Sequence, residues 1–115
     1  MTSNEKVKIT YKALEDRKGI DIKIIDIRDI SVLADYLIIA GGTNKNQVQA
    51  MVDAVEEALE KENVNVNHIE GYTSANWILL DYSDIIIHVF NQEDRLFYDL
   101  ERLWQDGKCI EVEEL

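Results

Sequence analysis

The fold is decided by the stretch from residue 77 to residue 90, which reads WILLDYSDIIIHVF. Two apolar runs, residues 77–80 and 85–90, flank the polar residues 81–84. Short apolar runs rich in β-branched side chains and joined by a few turn-forming residues are typical of a β-hairpin. The sequence therefore predicts two antiparallel strands here.

Upstream of the hairpin, the sequence predicts two further strands and then a helix. Residues 20–27 are rich in β-branched side chains, and residues 36–40 form the continuous apolar run of a strand buried on both faces. Gly41 and Gly42 then turn the chain, and either Thr43 or Asn44 can cap the helix that follows. Its apolar stripe, at helical spacing, is Val48, Met51, Val52, Val55 and Leu59.

The remaining elements are two terminal helices and one strand. Thr2 with Glu5 fits a capping box for a first helix that ends before Gly19. A strand is predicted over residues 64–69, and Gly71 breaks it.

The last predicted element is a helix. Asn91 can cap it, and it ends at Gly107. The apolar side of that helix consists of Leu96, Phe97, Leu100, Leu103 and Trp104.

The predicted element order is α-β-β-α-β-β-β-α. No proline, repeat or low-complexity linker interrupts it, so residues 1–115 are expected to form a single domain. Five strands with interleaved helices predict an α/β (α+β) fold, in which helices cover a five-stranded mixed sheet. The tail at residues 111–115 is expected to be frayed or to lie at an edge.

The charge balance restricts the partners that such a domain can take. The chain has 12 basic and 23 acidic residues, which gives a net charge of −11. A chain this acidic repels phosphate backbones, so we expect no direct sequence-specific binding of nucleic acid. The same charge suits a basic protein partner.

The expected compartment is the cytoplasm. Cys109 is the only cysteine, so no internal disulfide can form, and this suits a reducing environment. Residues 1–10 are polar and lack the apolar segment of a secretory signal. No apolar run approaches the roughly 18 residues that a membrane span needs, so no membrane partner is expected.

Two places in the sequence suggest enzyme chemistry, and each has a simpler interpretation. Residues 41–45 follow a strand and open a helix, where free amides favour phosphate, but they match no phosphate-binding motif and suit an ordinary turn. Asp81 and Asp84 could hold Mg²⁺, although aspartate also forms turns through side-chain hydrogen bonds. The turn interpretation is favoured at both places. A small nucleotide-binding or nucleotidyltransferase-like enzyme stays the alternative function.

The histidines and the cysteine show no catalytic or metal-binding pattern. His68 and His88 have no Cys or His neighbour at metal-ligand spacing, and Cys109 has no local partner that would lower its pKa. We therefore expect neither a metal site nor a cofactor. His88 is interpreted as a hydrogen-bonded, half-buried side chain, with contact to a partner as the alternative.

Large aromatic residues are the stronger signal for binding. Trp77 alternates with Leu79 on one strand face, Tyr98 lies beside the apolar side of the last helix, and Trp104 lies at its end. Tryptophan and tyrosine on amphipathic elements are frequent interface anchors, although they also fill small cores. The sequence leaves both roles open. An exposed aromatic surface would also allow the free protein to form a homodimer.

Four stretches of the chain resemble the ribosomal silencing factor family, also called Iojap or RsfS. They are ANWILLDYSDIIIHVF at residues 75–90, DYLIIAGGT at 35–43, VQAM at 48–51 with Asp53 following, and RLFYDLERLW at 95–104. The stretches occur in the family's order and at its spacing, from about Ala13 to Trp104. Together they are specific enough to identify the chain as a member.

This resemblance implies a function without catalysis. The family binds the large ribosomal subunit through the basic ribosomal protein uL-fourteen, on the face that meets the small subunit. Bound there, it sterically blocks subunit joining and lowers translation, notably when nutrients are short. Its fold resembles the nucleotidyltransferase sheet, but no activity is attached to it.

The resemblance also directs attention to particular side chains. Asn46 and Gln47 stand where many relatives carry Arg with His or Gln, and Ser83 stands where Gly is usual in the hairpin turn. The residues expected to contact the partner are Trp77, Asp81, His88, Tyr98, Glu101 and Trp104. Among them, Asp81 and Glu101 would accept hydrogen bonds from Lys or Arg of the partner.

Overall fold

Six β-strands in one mixed sheet and two α-helices make up the described part of the chain, residues 1–92 and 107–115, in a computed structural model. In chain order they are α1 (Ser3–Asp16), β1 (Ile20–Asp26), β2 (Tyr36–Gly42), α2 (Lys45–Glu60), β3 (His68–Glu70), β4 (Trp77–Asp81), β5 (Ile85–Asn91) and β6 (Lys108–Ile110). A 3₁₀ helix (Val112–Glu114) follows β6.

The strand order across the sheet is β3-β4-β5-β2-β1-β6. The central pair, β2 and β5, is parallel, and every other neighbouring pair is antiparallel. All seven residues of β2 are buried, as the continuous apolar run predicts. The predicted hairpin is confirmed as β4 and β5, with Trp77 opposite Phe90 and Asp81 opposite Ile86.

Both α-helices begin at the predicted caps. The Thr2 side chain accepts a hydrogen bond from the Glu5 backbone N–H at 3.2 Å. At α2 the cap is Asn44, not Thr43, because the Asn44 side chain accepts from the Gln47 backbone N–H at 2.9 Å. These bonds satisfy amides that the first helical turn leaves unpaired.

The residue that adopts the left-handed conformation after helix α1 is not the glycine that the sequence suggests. Lys18 adopts the left-handed conformation with φ of 62°, and the Gly19 N–H donates to the Leu14 carbonyl at 2.9 Å. Gly19 lies at a tight contact, since a Cβ there would lie 3.0 Å from the Leu14 carbonyl oxygen and 2.9 Å from Cε at the flexible end of Met51. The glycine therefore lets the end of α1 approach α2 closely.

The two faces of the sheet carry separate apolar clusters. The larger cluster packs α1 and α2 against one face, and its helical residues include Val7, Leu14, Met51 and Leu59. The second cluster lies on the opposite face and consists of Ile25, Ile27, Ala34, Leu37, Ile39 and Phe90, with Trp77 and Ile86 packed against it. Because strand side chains alternate, β4 and β5 contribute to both clusters.

The α+β class and the mixed sheet are confirmed, but the strand count of five is wrong. The sixth strand, β6, pairs antiparallel with β1 through Cys109 opposite Ile25. Three residues are too few to show an alternating pattern, so no sequence signal marks β6. The third predicted strand is also shorter than expected: Val64 and Val66 pack against the core, and the ladder begins only at His68.

The predicted last helix lies on residues 93–106, outside the described part of the chain. Neither of the two described α-helices combines the length and apolar character that a membrane crossing requires.

Candidate partner-binding surface

Trp77 is held in place by its neighbours on β5. Its Nε1–H donates a hydrogen bond to His88 Nδ1 at 2.8 Å, and its ring stacks on Phe90 with centroids 5.4 Å apart and planes inclined at 23°. The hairpin register causes this arrangement, because Trp77, His88 and Phe90 project from the same face of β4 and β5. A half-buried tryptophan with a fixed ring is a suitable anchor for a partner, since little rotamer entropy remains to be lost on binding.

His88 supports Trp77 and is not itself a charged contact. Only 7% of His88 is exposed, and burial lowers its pKa to about 4. The imidazole is therefore neutral near pH 7, and it accepts the indole hydrogen bond through Nδ1. The expected hydrogen bond of His88 is confirmed, but the side chain is buried where the sequence predicts a half-buried one. Direct contact with a partner stays a prediction.

Asp81 and Asp84 are engaged in the hairpin turn. Asp81 Oδ1 accepts a hydrogen bond from the Ser83 backbone N–H at 2.8 Å, and the Asp84 carboxylate pairs with Lys6 Nζ at 3.0 and 3.1 Å. The favoured turn interpretation is thus confirmed for Asp81, whereas the Asp84 side chain forms an ion pair with α1 instead of a hydrogen bond within the turn. Lys6 links the turn to α1, while Asp81 stays on the face of Trp77, about 13 Å along β4 at the rise of an extended strand.

The glycine-containing turn before α2 is closed by its own side chains. Gln47 Oε1 accepts hydrogen bonds from the Thr43 N–H at 2.6 Å and from the Thr43 hydroxyl at 2.8 Å. Gln47 Nε2 donates to the carbonyls of Arg17 and Lys18, both at 3.1 Å. Two amides that a phosphate would need, those of Thr43 and Gln47, are therefore already bonded. Gly42 has a packing role, since a Cβ there would lie 2.9 Å from Val48 Cγ2.

Three predicted site residues, Tyr98, Glu101 and Trp104, lie outside the described part of the chain and stay predictions. Trp77 and His88 are brought into direct contact.

The other histidine and the cysteine lie elsewhere. His68 lies on β3, where it pairs with Glu70 at 2.8 Å, and Cys109 is exposed on β6. Within residues 1–92 and 107–115, no group of three His, Cys, Asp or Glu side chains is placed to hold a metal ion.

Sequence reasoning missed an exposed apolar turn between β1 and β2. Val32 is fully exposed and Leu33 is 83% exposed. The Ser31 hydroxyl oxygen accepts hydrogen bonds from the Leu33 N–H at 3.1 Å and the Ala34 N–H at 3.4 Å, which orders the turn. Ala34 anchors it in the second cluster. The only sequence signal was apolar residues in a segment between strands, which is too common to single out.

Comparison with known proteins gives the family. The family model described as "Ribosomal silencing factor during starvation" matches residues 1–115. The chain belongs to the ribosomal silencing factor family.

Individual members of the ribosomal silencing factor family agree with this assignment. The chain is 31% identical to ribosomal silencing factor RsfS of Halalkalibacterium halodurans over 113 residues. This match covers 98% of this chain and 97% of that protein. It is 40% identical over 101 residues to RsfS of Zymomonas mobilis, covering 88% of this chain and 76% of that protein. The crystal structure of a Chromobacterium violaceum protein superposes with a TM-score of 0.88 at 34% identity, covering 96% and 92% of the two chains.

Proposed function

We propose that this protein binds the large ribosomal subunit through the basic ribosomal protein uL-fourteen and sterically blocks joining of the small subunit. Translation would then fall without any chemical step, because an obstacle needs only a stable footprint. Membership of the ribosomal silencing factor family supports a regulatory role at the ribosome. In this proposal the site of action is the cytoplasm, where subunits join.

The observation that carries the proposal is the fixed position of Trp77. A tryptophan hydrogen-bonded at one edge and stacked on one face presents a pre-organised apolar surface to a partner. Asp81, on the same face, would accept a hydrogen bond from Lys or Arg of uL-fourteen. The net charge of −11 would steer the protein towards a basic partner and away from ribosomal RNA.

The alternative of a nucleotide-binding enzyme has weaker support. Its two candidate features are the turn before α2 and the pair Asp81 and Asp84. Both are used in internal hydrogen bonds or ion pairs that hold the fold together. We therefore propose a binding protein that is not an enzyme.

The test is subunit joining measured by sedimentation or light scattering, with purified large and small subunits and increasing amounts of the protein. The wild-type protein is expected to reduce the fraction of joined ribosomes and to sediment with isolated large subunits. Trp77→Ala is expected to weaken both effects by about tenfold or more, as for a central anchor. Val66→Ala, which also shortens a non-polar side chain but packs against the cluster on the other face of the sheet, is the control.

Folding of each variant is checked by circular dichroism before binding is measured. A wild-type protein that leaves subunit joining unchanged at saturating concentration contradicts the proposed function. A folded Trp77→Ala variant that blocks joining as well as the wild type removes Trp77 from the binding surface.

A further inference from the structure

Three apolar side chains project into solvent from the turn between β1 and β2. Val32 is fully exposed, Leu33 is 83% exposed and Ile30 is 45% exposed, and the three lie within four consecutive residues. We call them the apolar turn. Among the described residues, the other exposed large apolar side chains are Met1 and Tyr72, each alone in its segment. Single exposed apolar residues are ordinary, whereas a contiguous group marks an interaction surface.

The backbone of the apolar turn is ordered by its own hydrogen bonds. The N–H groups of Ile30 and Ser31 donate to the Ile27 carbonyl at 3.1 and 2.8 Å, and the Ser31 hydroxyl oxygen accepts from the N–H groups of Leu33 and Ala34. None of these bonds uses an apolar side chain of the turn, so polar side chains would leave them unchanged. The exposed apolar groups are therefore not needed for the turn itself, and its fixed backbone lowers the entropy cost of binding.

The charges beside the apolar turn favour a basic partner. Arg28 is the only basic residue between positions 26 and 35, and it is neutralised by Asp26, to which it donates from Nε at 3.0 Å and from Nη2 at 2.7 Å. Asp29 and Asp35 lie on either side of the turn, and no lysine or arginine of the described residues is ion-paired with them. The uncompensated charge next to the exposed apolar side chains is thus negative on both sides.

The apolar turn lies at the same end of the sheet as the β4–β5 turn. The Asp84 carbonyl accepts hydrogen bonds from the N–H groups of Asp35 at 2.7 Å and Tyr36 at 3.3 Å, which joins the two turns. Ala34 belongs to the second cluster, against which Trp77 packs. At the usual spacing of strands and of residues along them, the apolar turn and Trp77 are about 20 Å apart. One interface of standard size, about 800 Å² on each partner, would cover both.

We infer that the apolar turn docks into an apolar depression on a basic protein of the large ribosomal subunit, where Asp29 and Asp35 pair with lysine or arginine at the rim. This inference rests on the proposed function and adds a second contact to that of Trp77. A second copy of this chain is a poorer occupant, because a two-fold contact through the turn would bring like carboxylates together. RNA is poorer still, because its phosphates would meet the same carboxylates.

The first experiment measures sedimentation with purified large subunits for two variants of one exposed side chain. Leu33→Ser removes the apolar surface, whereas Leu33→Met keeps it, and neither should change the stability of the free protein because the side chain is exposed. We expect Leu33→Ser to bind about tenfold more weakly or worse, and Leu33→Met to bind within about threefold of the wild type.

A matched pair of charge variants tests the acidic rim. Asp29→Asn and Glu62→Gln each remove one exposed carboxylate, and Glu62 follows α2, which packs on the other face of the sheet from Trp77. Asp29→Asn is expected to weaken binding by about threefold to tenfold, and Glu62→Gln to leave it unchanged.

Crosslinking identifies what meets the apolar turn. Cys109→Ser removes the only thiol, Ile30→Cys introduces one in the turn, and a benzophenone maleimide attached there is activated by light on large subunits. The adduct is expected to contain a basic ribosomal protein. The same reagent attached at Glu62→Cys is the control and should give little or no adduct.

Each other result has a definite meaning. Equal binding by Leu33→Ser and the wild type overturns the docking of the turn and leaves the proposed function standing. Equal weakening by Asp29→Asn and Glu62→Gln overturns the pairing at the rim, because net charge alone would then explain the loss. An adduct with RNA or with a second copy overturns the choice of partner, and so does the absence of an adduct from a labelled protein that still sediments. A wild-type protein that never sediments with large subunits refutes the proposed function, and the docking of the turn with it.

Discussion

The indole Nε1–H of Trp77 donates to Nδ1 of His88 diagonally across the β4–β5 ladder, at 2.8 Å. Replacing His88 by Phe keeps a ring of similar size but leaves the indole N–H without its acceptor. We expect His88→Phe to lower the free energy of unfolding by about 1–3 kcal/mol, the usual cost of an unsatisfied polar group in a mostly buried site. Urea denaturation followed by circular dichroism measures the change.

A double-mutant cycle with Trp77→Phe isolates this hydrogen bond from the packing change. In the Trp77→Phe background no donor remains, so His88→Phe should cost about 1–2 kcal/mol less than in the wild type. Equal costs in the two backgrounds would show that the Trp77–His88 contact contributes no coupling energy.

The burial of His88 also predicts a dependence of stability on pH. Burial lowers its pKa from 6.5 to about 4 in the folded protein, so the unfolded chain takes up a proton at a higher pH than the folded chain. The resulting stability is complete above about pH 6.5 and is lost as the pH falls towards 4, by up to about 3 kcal/mol. The free energy of unfolding, plotted against pH between 7 and about 4, should therefore have a smaller slope for His88→Phe than for the wild type. Parallel slopes would contradict the lowered pKa.

Ser83 in the hairpin turn adopts φ of 74°, a left-handed conformation that glycine tolerates best. Its hydroxyl also accepts a hydrogen bond from Asn67 Nδ2. Comparing Ser83→Gly with Ser83→Ala separates these contributions. Both variants lose the hydroxyl, but only the alanine variant keeps a Cβ and therefore the strain of the left-handed conformation. We expect Ser83→Gly to be more stable than Ser83→Ala by about 1 kcal/mol in thermal denaturation. A more stable alanine variant would show that the turn relaxes without cost.

Gln47 ties the start of α2 to the end of α1, since its Nε2 donates to the carbonyls of Arg17 and Lys18. Gln47→Glu keeps the shape but replaces the donor by an oxygen that repels both carbonyls. We expect a loss of about 1–3 kcal/mol at pH 7, partly recovered at a pH low enough to protonate the new carboxyl. Asn46→Asp adds the same charge one residue earlier and should be neutral or slightly stabilising at a helix N-terminus. Equal stability of the two variants at pH 7 would argue against the Gln47 link.

Most of the fold was predictable because its signals are local. The apolar run of β2, the hairpin at residues 77–90 and the stripe of α2 follow from side-chain periodicity alone. The sixth strand did not, because Lys108–Ile110 is short and its pairing with β1 depends on residues far away in the chain. The sequence predicts that Gly19 ends α1, but the left-handed residue is Lys18, and Gly19 instead lies at a tight contact with the Leu14 carbonyl oxygen and Met51.

The candidate surface was predictable only in part. The exposed or buried state of Trp77 and His88 was left open by the sequence, because it depends on the register of β4 against β5 and on the hydrogen bond between them. The buried, unpartnered Tyr82 hydroxyl had no sequence signal, since its burial depends on the packing of the helices on the sheet. The burial and the hydrogen-bond partners of such side chains can be identified only from the packing of elements that are distant in the sequence.

The parallel pairing of β2 with β5 has a consequence for the order of folding. These strands are separated in the chain by α2, β3 and β4, so their ladder can close only after a large loop has been gathered. Contacts of this separation slow the search for the native topology compared with a helical bundle of equal size. The β4–β5 hairpin can form early, and its docking alongside β2 would then be the late, rate-determining step. The amide hydrogens between β2 and β5 should accordingly exchange with solvent only on global unfolding.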